Sequence, residues 1–178
     1  NAGDAMDPLK SNQIELGAKY SHNNMFYTLA LFQIDKGLEY YDSTNPNAPV
    51  FVQDGRQVHK GLEFTFTGKI NDDLTAVGGF TILDAKIKEN KQNPEYEGKR
   101  PDDVANRFAK VYLEYTPFTR KNISLNTGIN YTGSFYGNKE NTDKMPSYTL
   151  VNIGAKYTTK DSKKPLTFRV NINNVADK

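Results

Sequence analysis

The chain has 178 residues, of which 37% are hydrophobic and 12% aromatic, with no cysteine and a formal net charge of +2. Without cysteine it can form neither a disulfide framework nor a thiolate metal site, and its scattered basic residues lack the concentrated positive patch of a nucleic-acid-binding protein. The mean hydropathy of −0.72 is that of many soluble proteins, but a transmembrane β-barrel averages the same way because only alternate strand residues face lipid.

The first two predicted strands form a hairpin after a loop at residues 1–11. Strand one, residues 12–20, alternates strictly, with the apolar even positions from Ile14 to Tyr20 on one face. Strand two, residues 25–41, is apolar at both parities. Its odd set ends in polar residues, so we assign the even residues to the outward face. They are Phe26, Thr28, Ala30, Phe32 and Ile34.

The most informative stretch is the long hairpin predicted over residues 50–87. Leu62, Phe64 and Phe66 share one face of its first arm, and a polar turn at 71–73 separates the two arms. Each arm has roughly 15 to 20 residues, against about 5 to 6 for a strand in an ordinary soluble domain. The pattern leaves open which parity of the second arm faces outward.

Four more strands are predicted in the second half, over residues 104–116, 122–137 and 148–157 and after a turn at 158–164. Each carries apolar side chains on one face and amide, glycine or charged residues on the other. The residues assigned to the apolar faces are Ala109, Val111, Leu113 and Tyr115; Ile123, Leu125, Thr127, Ile129 and Tyr131; Val151, Ile153 and Ala155; and Leu166, Phe168, Val170 and Ile172.

The predicted connections alternate between short and long, which is typical of outer-membrane barrels. The short ones are residues 21–24, 70–73, 117–121 and 158–164, and the long ones are 42–49, 88–103 and 138–147. Asparagine and glycine dominate the polar faces, which suits a wet or packed polar lumen. Three alternatives stay open: a small eight-stranded outer-membrane barrel, including an enzyme of that size, a soluble lipocalin-like barrel, and a soluble sandwich, which also alternates.

Segments along nearly the whole chain resemble, in order, those of the TonB-dependent siderophore receptors of Gram-negative outer membranes. The first is similar to the family pattern s-x-x-x-E-x-G-x-K, the third to r-G-x-E and the last to N-N-x-x-D-K, although Val175-Ala176 stands where Leu-Phe is commoner. The segments are residues 11–20, 29–35, 55–68, 80–85, 98–101, 131–134, 146–151 and 171–178.

This resemblance implies an all-β, antiparallel transmembrane barrel segment of about eight long strands out of 22, as one partial domain over residues 1–178. The chain has no initiator methionine or signal peptide, and we expect it to be a fragment that lacks the family's plug domain and last strand. The implied protein is a monomeric receptor, not an enzyme, that needs no cofactor. Its implied partners are outer-membrane lipid, a ferric siderophore as cargo and TonB, which it meets through the plug.

Two groups of candidate site residues follow from the resemblance. Aromatic and cationic residues near the outer strand ends suit an anionic ferric chelate, although the aromatics also suit a membrane-interface girdle. They are Tyr40, Tyr41, Arg56, Tyr96, Arg100, Phe135 and Tyr136. Charged residues predicted to face the lumen could pair with the plug or with water. They are Glu63, Lys110, Glu114, Lys156 and Arg169.

We predict neither a metal site nor a catalytic site. His22 and His59 are the only histidines, His22 in a turn and His59 at the parity of Glu63. A metal site needs three or four converging ligands, and no triad, phosphate-binding glycine motif or carboxylate pair is evident.

Overall fold

The computed structural model describes residues 8–160 and 163–178, and their main feature is a single antiparallel sheet of eight strands. The predicted loop at residues 1–11 and the turn at 158–164 therefore lie partly outside the described residues. No described helix is long and apolar enough to cross a membrane. The eight strands are β1 (Ser11–His22), β2 (Met25–Asp42), β3 (Val50–Lys69), β4 (Leu74–Glu89), β5 (Arg107–Tyr115), β6 (Ile123–Thr132), β9 (Tyr148–Thr158) and β10 (Thr167–Ile172).

Each strand pairs with its neighbour in sequence, in the order β1-β2-β3-β4-β5-β6-β9-β10. The β1–β2 turn is only Asn23 and Asn24, with Asn23 in the left-handed region at φ 51°. At the opposite end lie the loops 90–106 and 133–147, the second containing a small hairpin of β7 (Phe135–Tyr136) and β8 (Lys144–Met145). The predicted alternation of short and long connections is thus confirmed, and β6 ends at Thr132 instead of reaching residue 137.

The sheet is open, because β1 and β10 stand at its two edges. The described strands therefore do not close on themselves into the small eight-stranded barrel that was one alternative. An open sheet has little core. Three of the buried apolar side chains, Ala85, Ile87 and Ala105, lie where loop 90–106 folds back on the end of β4.

The strand register builds one continuous apolar face, because directly opposed residues of an antiparallel pair project to the same side. One row runs Leu16, Leu31, Leu62 and Ile82 across four strands. Many of these side chains are exposed, including Leu16 at 75% and Val170 at 63%. The residues that make up this apolar face are Ile14, Leu16, Ala18, Tyr20, Tyr27, Leu29, Leu31, Leu62, Phe64, Phe66, Phe80, Ile82, Val111, Leu113, Tyr115, Leu125, Ile129, Val151, Ile153, Tyr157, Phe168, Val170 and Ile172.

The other side of the sheet, the polar face, carries threonine, asparagine, glycine and charged residues on most strands. One row of the polar face crosses β6, β9 and β10, with Asn126 and Asn171 on either side of Gly154. A Cβ on Gly154 would collide with both amides, so glycine leaves the space that they occupy. A soluble barrel would instead bury the apolar side and wet the amide side.

The outward assignment for β2 was wrong. Phe26, Thr28, Ala30, Phe32 and Ile34 lie on the polar face, since Tyr20 of the apolar face pairs with Tyr27 and so places the odd residues of β2 on that face. Phe32, one of these apolar residues on the polar face, has a packing role. Its ring lies over Gly61, where an added Cβ would collide with it. In β4, whose parity was open, the even residues Phe80 and Ile82 lie on the apolar face.

Two irregularities interrupt the register, and both lie beyond the apolar rows, at the long-loop end. The β2–β3 pairing shifts between Leu38 and Tyr40, and the β3–β4 pairing shifts between Arg56 and Gln57. Below them the ladder of β3 is unbroken on both sides down to the short turns.

Candidate functional site

The long-loop end of the sheet is where most of the predicted ligand residues lie. Loop 90–106 begins with Asn90, which is buried. The Asn90 side-chain oxygen accepts a hydrogen bond from the Asn93 backbone amide, and the Asn90 backbone amide donates one to Glu97 Oε1. The loop turns back at Gly98, whose φ of +81° favours glycine, and its amide then pairs with the carbonyl of Ile87. Loop 90–106 is therefore held against the end of β4 by backbone hydrogen bonds.

Loops 90–106 and 133–147 are joined to each other by a connection centred on Asn141. The Asn141 side chain accepts a hydrogen bond from the Arg100 amide at 2.9 Å and donates one to the Arg100 carbonyl at 2.8 Å. The Asp103 amide donates to the Tyr136 carbonyl at 2.8 Å. The Arg100 guanidinium lies 5.6 Å from the centre of the Tyr136 ring, within cation–π range. Two predicted ligand residues are thus in contact.

A third predicted residue, Tyr96, strengthens this connection. Its hydroxyl donates to Glu140 Oε1 at 2.7 Å, and Lys99 Nζ lies 5.7 Å from its ring centre. The hydrogen bond from Tyr96 lowers the pKa of the Glu140 carboxyl, and the same bond raises the pKa of Tyr96. Around neutral pH this keeps a charged acceptor beside a neutral donor. We call Tyr96, Arg100, Tyr136, Glu140 and Asn141 the loop cluster.

Tyr40 lies in a separate contact at the end of β2. Its hydroxyl donates to Asp54 Oδ1 at 2.5 Å, and Lys91 Nζ donates to the other oxygen of Asp54 at 2.8 Å. The Asp54 carboxylate also raises the pKa of Lys91. Tyr41 is exposed, and its ring meets Phe51 edge-on at 5.0 Å. The β2–β3 extension is therefore linked to loop 90–106 through Asp54 and Lys91.

Arg56 is placed differently from the other predicted ligand residues. It pairs across the ladder with Gly37, on the same side as Val58 and the apolar face. Its guanidinium donates to Asp35 Oδ2 at 2.9 Å and to Glu89 Oε1 at 2.8 Å. Both carboxylates are thereby satisfied, and Arg56 points away from the polar face.

Sequence reasoning missed the residues that organise these contacts. Asn141 takes a left-handed φ of 58°, which asparagine tolerates better than most residues. A lone asparagine in a polar loop gives little signal by itself, and neither do Glu140 or Asp54. Phe135, which was predicted, pairs with Met145 in the small hairpin and is half-buried.

All five predicted lumen charges share the polar face. Glu114 and Lys156 form an ion pair at 3.3 Å, and the Tyr112 hydroxyl donates to the second oxygen of Glu114 at 3.2 Å. Arg169 stands opposite Lys156 in the ladder, so the two cations and one carboxylate share a shallow cavity of about 240 Å³ that Ser124 and Asn126 also line.

The other two lumen charges stand alone: within residues 8–160 and 163–178, Glu63 and Lys110 make no ion pair. His59 lies on the polar face as predicted and contacts Gln57 Oε1 at 3.2 Å, while the ring of His22 stacks beside Tyr20 at the end of β1. No group of three or more acidic or histidine ligands converges in the described part of the chain.

The groups at the long-loop end suit the binding of a ligand, and the polar face suits the lining of an interior space. Aromatic rings beside guanidinium and ammonium groups, at the loop end of a sheet with a polar interior side, present flat apolar area with positive charge to an anionic ligand.

Comparison with known proteins gives a consistent result. The protein-family model described as "TonB dependent receptor-like, beta-barrel" matches residues 1–175. An uncharacterized TonB-dependent receptor of Haemophilus influenzae is 30% identical over 175 residues, which is 95% of this chain and 50% of that protein. The ferrichrome outer membrane transporter/phage receptor of Escherichia coli K12 is 29% identical over 160 residues, covering 87% of this chain and 21% of that one.

Among solved structures, the crystal structure of BauA, the ferric preacinetobactin receptor from Acinetobacter baumannii, superposes with a TM-score of 0.84 at 34% identity. The superposition covers 99% of this chain and 26% of that one. The chain therefore spans between about a fifth and a half of the length of these relatives.

Proposed function

Since the chain belongs to the TonB-dependent receptor β-barrel family, we propose that it is part of the barrel wall of an outer-membrane receptor for TonB-dependent uptake of a ferric siderophore. The family resides in the outer membrane of Gram-negative bacteria, so the apolar face meets lipid and the polar face meets the barrel interior. Two of the relatives are named for ferrichrome and for ferric preacinetobactin, both iron chelates.

The observation that carries the proposal is the unbroken two-sidedness of the sheet. Eight antiparallel strands keep one register in which most of the exposed apolar side chains lie on one side, while the other side carries most of the charges and amides and fewer apolar residues. Since backbone groups inside a lipid bilayer must be paired, the open edges at β1 and β10 would pair with further strands of the same barrel wall.

Within this function, the loop cluster is the strongest candidate for ligand contact. Arg100 and Tyr136 contact each other, and both side chains are half-buried. Because they are already partly ordered, they would lose less side-chain entropy when a ligand binds. Tyr40 and Tyr41 would extend the surface along the β2–β3 end. The paired charges of Arg56 make it the weakest of the predicted contacts.

The polar-face charges Glu63, Lys110, Glu114, Lys156 and Arg169 would line the interior opposite the plug. Glu114 and Lys156 satisfy each other, and so they would keep a fixed geometry. Glu63 and Lys110 are the charges more available to an interior partner.

The test is uptake of radiolabelled iron by the full-length receptor in an iron-starved strain that lacks its own siderophore receptors. A panel of hydroxamate and catecholate ferric siderophores is supplied, with and without TonB. We expect accumulation of at least one chelate only when both receptor and TonB are present. Receptor-dependent accumulation that persists without TonB, or none with any chelate, would overturn the proposal.

The ligand surface has its own test in the same cells. Arg100→Gln should weaken binding of the transported chelate by about fivefold or more, the size of a desolvated cation–π or charge contact of about 1 kcal/mol or more. Arg120→Gln, in the short turn after β5, is the matched control that removes the same charge at the opposite end. Equal affinities for the two variants would remove the loop cluster from the binding surface.

A further inference from the structure

One asparagine at the long-loop end joins two loops through its side chain. Asn141, in loop 133–147, accepts a hydrogen bond from the Arg100 amide at 2.9 Å and donates one to the Arg100 carbonyl at 2.8 Å. A primary amide can do this because it carries an acceptor and donors on one planar group. The side chain thus pairs with both backbone groups of Arg100, as the opposed residue of a neighbouring strand would. We call these two hydrogen bonds the Asn141 clamp.

The turn that carries Asn141 is held by hydrogen bonds of its own. The backbone amide of Asn141 donates to the Asn138 carbonyl at 3.2 Å. The side-chain oxygen of Asn138 accepts from the amides of Thr142 and Asp143 at 3.0 and 3.1 Å. All of these bonds lie within loop 133–147, so the shape of the turn does not depend on loop 90–106. The Asn141 clamp is therefore built on a turn that is already formed.

The same loop holds Arg100 from a second direction. The Arg100 guanidinium lies 5.6 Å from the centre of the Tyr136 ring. Pro101, the next residue, is buried and restricts the Arg100 backbone to extended conformations. The Asp103 amide also donates to the Tyr136 carbonyl at 2.8 Å. Both the backbone and the side chain of Arg100 are thus placed by contacts with loop 133–147.

The guanidinium itself is not used by the protein. It forms no ion pair and no side-chain hydrogen bond with any residue in 8–160 or 163–178. Glu140, which adjoins Asn141 in sequence, accepts a hydrogen bond from the Tyr96 hydroxyl at 2.7 Å. A half-buried arginine that lies on a ring with its donors unused suits an anionic group with two oxygens, which a guanidinium binds through two parallel hydrogen bonds.

We propose that Asn141 is a positioning residue for the cargo. Its clamp fixes the backbone of Arg100, so the guanidinium meets a negatively charged group of the ferric chelate from a preformed position over Tyr136. The inference rests on the proposed function, because it concerns the same ligand surface. An ordered side chain loses less entropy on binding, and a binding group whose supporting residues leave it loose by about 1 Å binds poorly.

The test measures binding of the labelled chelate to the full-length receptor in cells that lack TonB, where binding is measured apart from uptake. Asn141→Gly removes the side-chain amide and still allows the left-handed φ of 58°. Arg100→Gln removes the cation, and a double variant combines the two substitutions. The matched control is Asn45→Gly in loop 42–49, where the Asn45 side chain accepts a hydrogen bond from the Asn47 amide within its own loop.

We expect Asn141→Gly to weaken chelate binding by about three- to tenfold, and Asn45→Gly to bind as the unmodified receptor does. Because the clamp acts through Arg100, adding Asn141→Gly to Arg100→Gln should weaken binding by less than about twofold more. A general loss of loop structure would instead weaken both backgrounds equally. Unchanged affinity in Asn141→Gly, or effects that multiply in the double variant, would overturn the proposal.

A second measurement needs no variant. In the unmodified receptor, exchange of the Arg100 amide, which is donated to Asn141, should be slow both with and without the chelate. Protection that appears only with bound chelate would show that the clamp forms on binding and would overturn the preformed position. Chelate binding by the unmodified receptor tests the proposed function itself. Unweakened binding by Asn141→Gly would therefore reject the positioning role alone.

Discussion

The two-sidedness of the sheet can be tested at neighbouring residues of β4. Phe80 lies on the apolar face near the middle of its rows, is 42% exposed, and has its ring centre 5.5 Å from that of Phe64. Thr81, the next residue, lies on the polar face directly opposite Glu63. Phe80→Lys and Thr81→Lys therefore add the same cation to opposite sides of one strand.

The expected magnitudes differ widely. A lysine on the lipid side costs about 2 to 4 kcal/mol near the bilayer midplane. Loss of the ring pair with Phe64 adds about 0.5 to 1.5 kcal/mol, so Phe80→Lys should lower the free energy of unfolding by about 3 to 5 kcal/mol. Phe80→Ala removes the ring without adding charge and should cost mainly that smaller contribution. Thr81→Lys should be within about 0.5 kcal/mol of the unmodified protein, because it adds an exposed charge beside Glu63.

The measurement is urea unfolding of the full-length receptor in phosphocholine vesicles, with the folded fraction read from the gel mobility of unheated samples. The informative quantity is the difference between Phe80→Lys and Phe80→Ala. If water covered this side, the lysine would extend its ammonium into solvent and the two variants would unfold together. That result, or equal destabilisation by Phe80→Lys and Thr81→Lys, would refute the assignment of the apolar face to lipid.

Three further predictions concern packing and the loops. Gly61→Val would press a branched side chain against the Phe32 ring and should lower the free energy of unfolding by about 1 to 3 kcal/mol in the same urea titration, and an unchanged midpoint would contradict the close approach. Asn141→Ala removes both side-chain hydrogen bonds to Arg100, so amide exchange in residues 133–147 should accelerate by roughly tenfold, a loss of about 1 to 2 kcal/mol, and unaltered exchange would show that the loops are not joined there. The hydrogen bond between Tyr96 and Glu140 should order the loops at neutral pH and be lost in two windows, as pH falls through the lowered pKa of Glu140 and as it rises through the raised pKa of Tyr96. Exchange rates corrected for intrinsic pH effects should rise in both windows, and in Glu140→Gln the acid rise should disappear.

Much of this fold follows from local sequence patterns. The arms of the β3–β4 hairpin alternate so clearly, and are so long, that their bounds and the lipid side of β3 were predictable. β2 was misassigned because Phe26, Phe32 and Ile34 make its interior side apolar too, for packing against neighbours such as Gly61. Hydrophobicity cannot separate two apolar sides.

The register could have resolved β2. A two-residue turn at Asn23-Asn24 forces His22 to pair with Met25 and Tyr20 with Tyr27, which places the odd residues of β2 with the even residues of β1. Turn length therefore carries the information that composition lacks.

The candidate site was less predictable, for a different reason. Arg100 and Tyr136 were chosen as residue types that suit an anionic chelate, yet their contact depends on Asn141, which lies 41 residues from Arg100 in sequence. Arg56 was chosen on the same grounds, but its guanidinium forms ion pairs with Asp35 and Glu89 on the apolar side of the sheet. Long-range pairing between loops leaves no periodic signal in a single sequence.

The unbroken ladder of β3 has a consequence for how this wall tolerates insertions and deletions. Adding or removing one residue within the apolar rows would move every later side chain of the strand to the opposite face of the sheet. Threonines would then face the bilayer where phenylalanines face it now. The two register shifts, at Leu38/Tyr40 and Arg56/Gln57, both lie beyond those rows. Changes in strand length should therefore be confined to the part of the hairpins that projects into water, while the membrane-embedded part varies only by substitution.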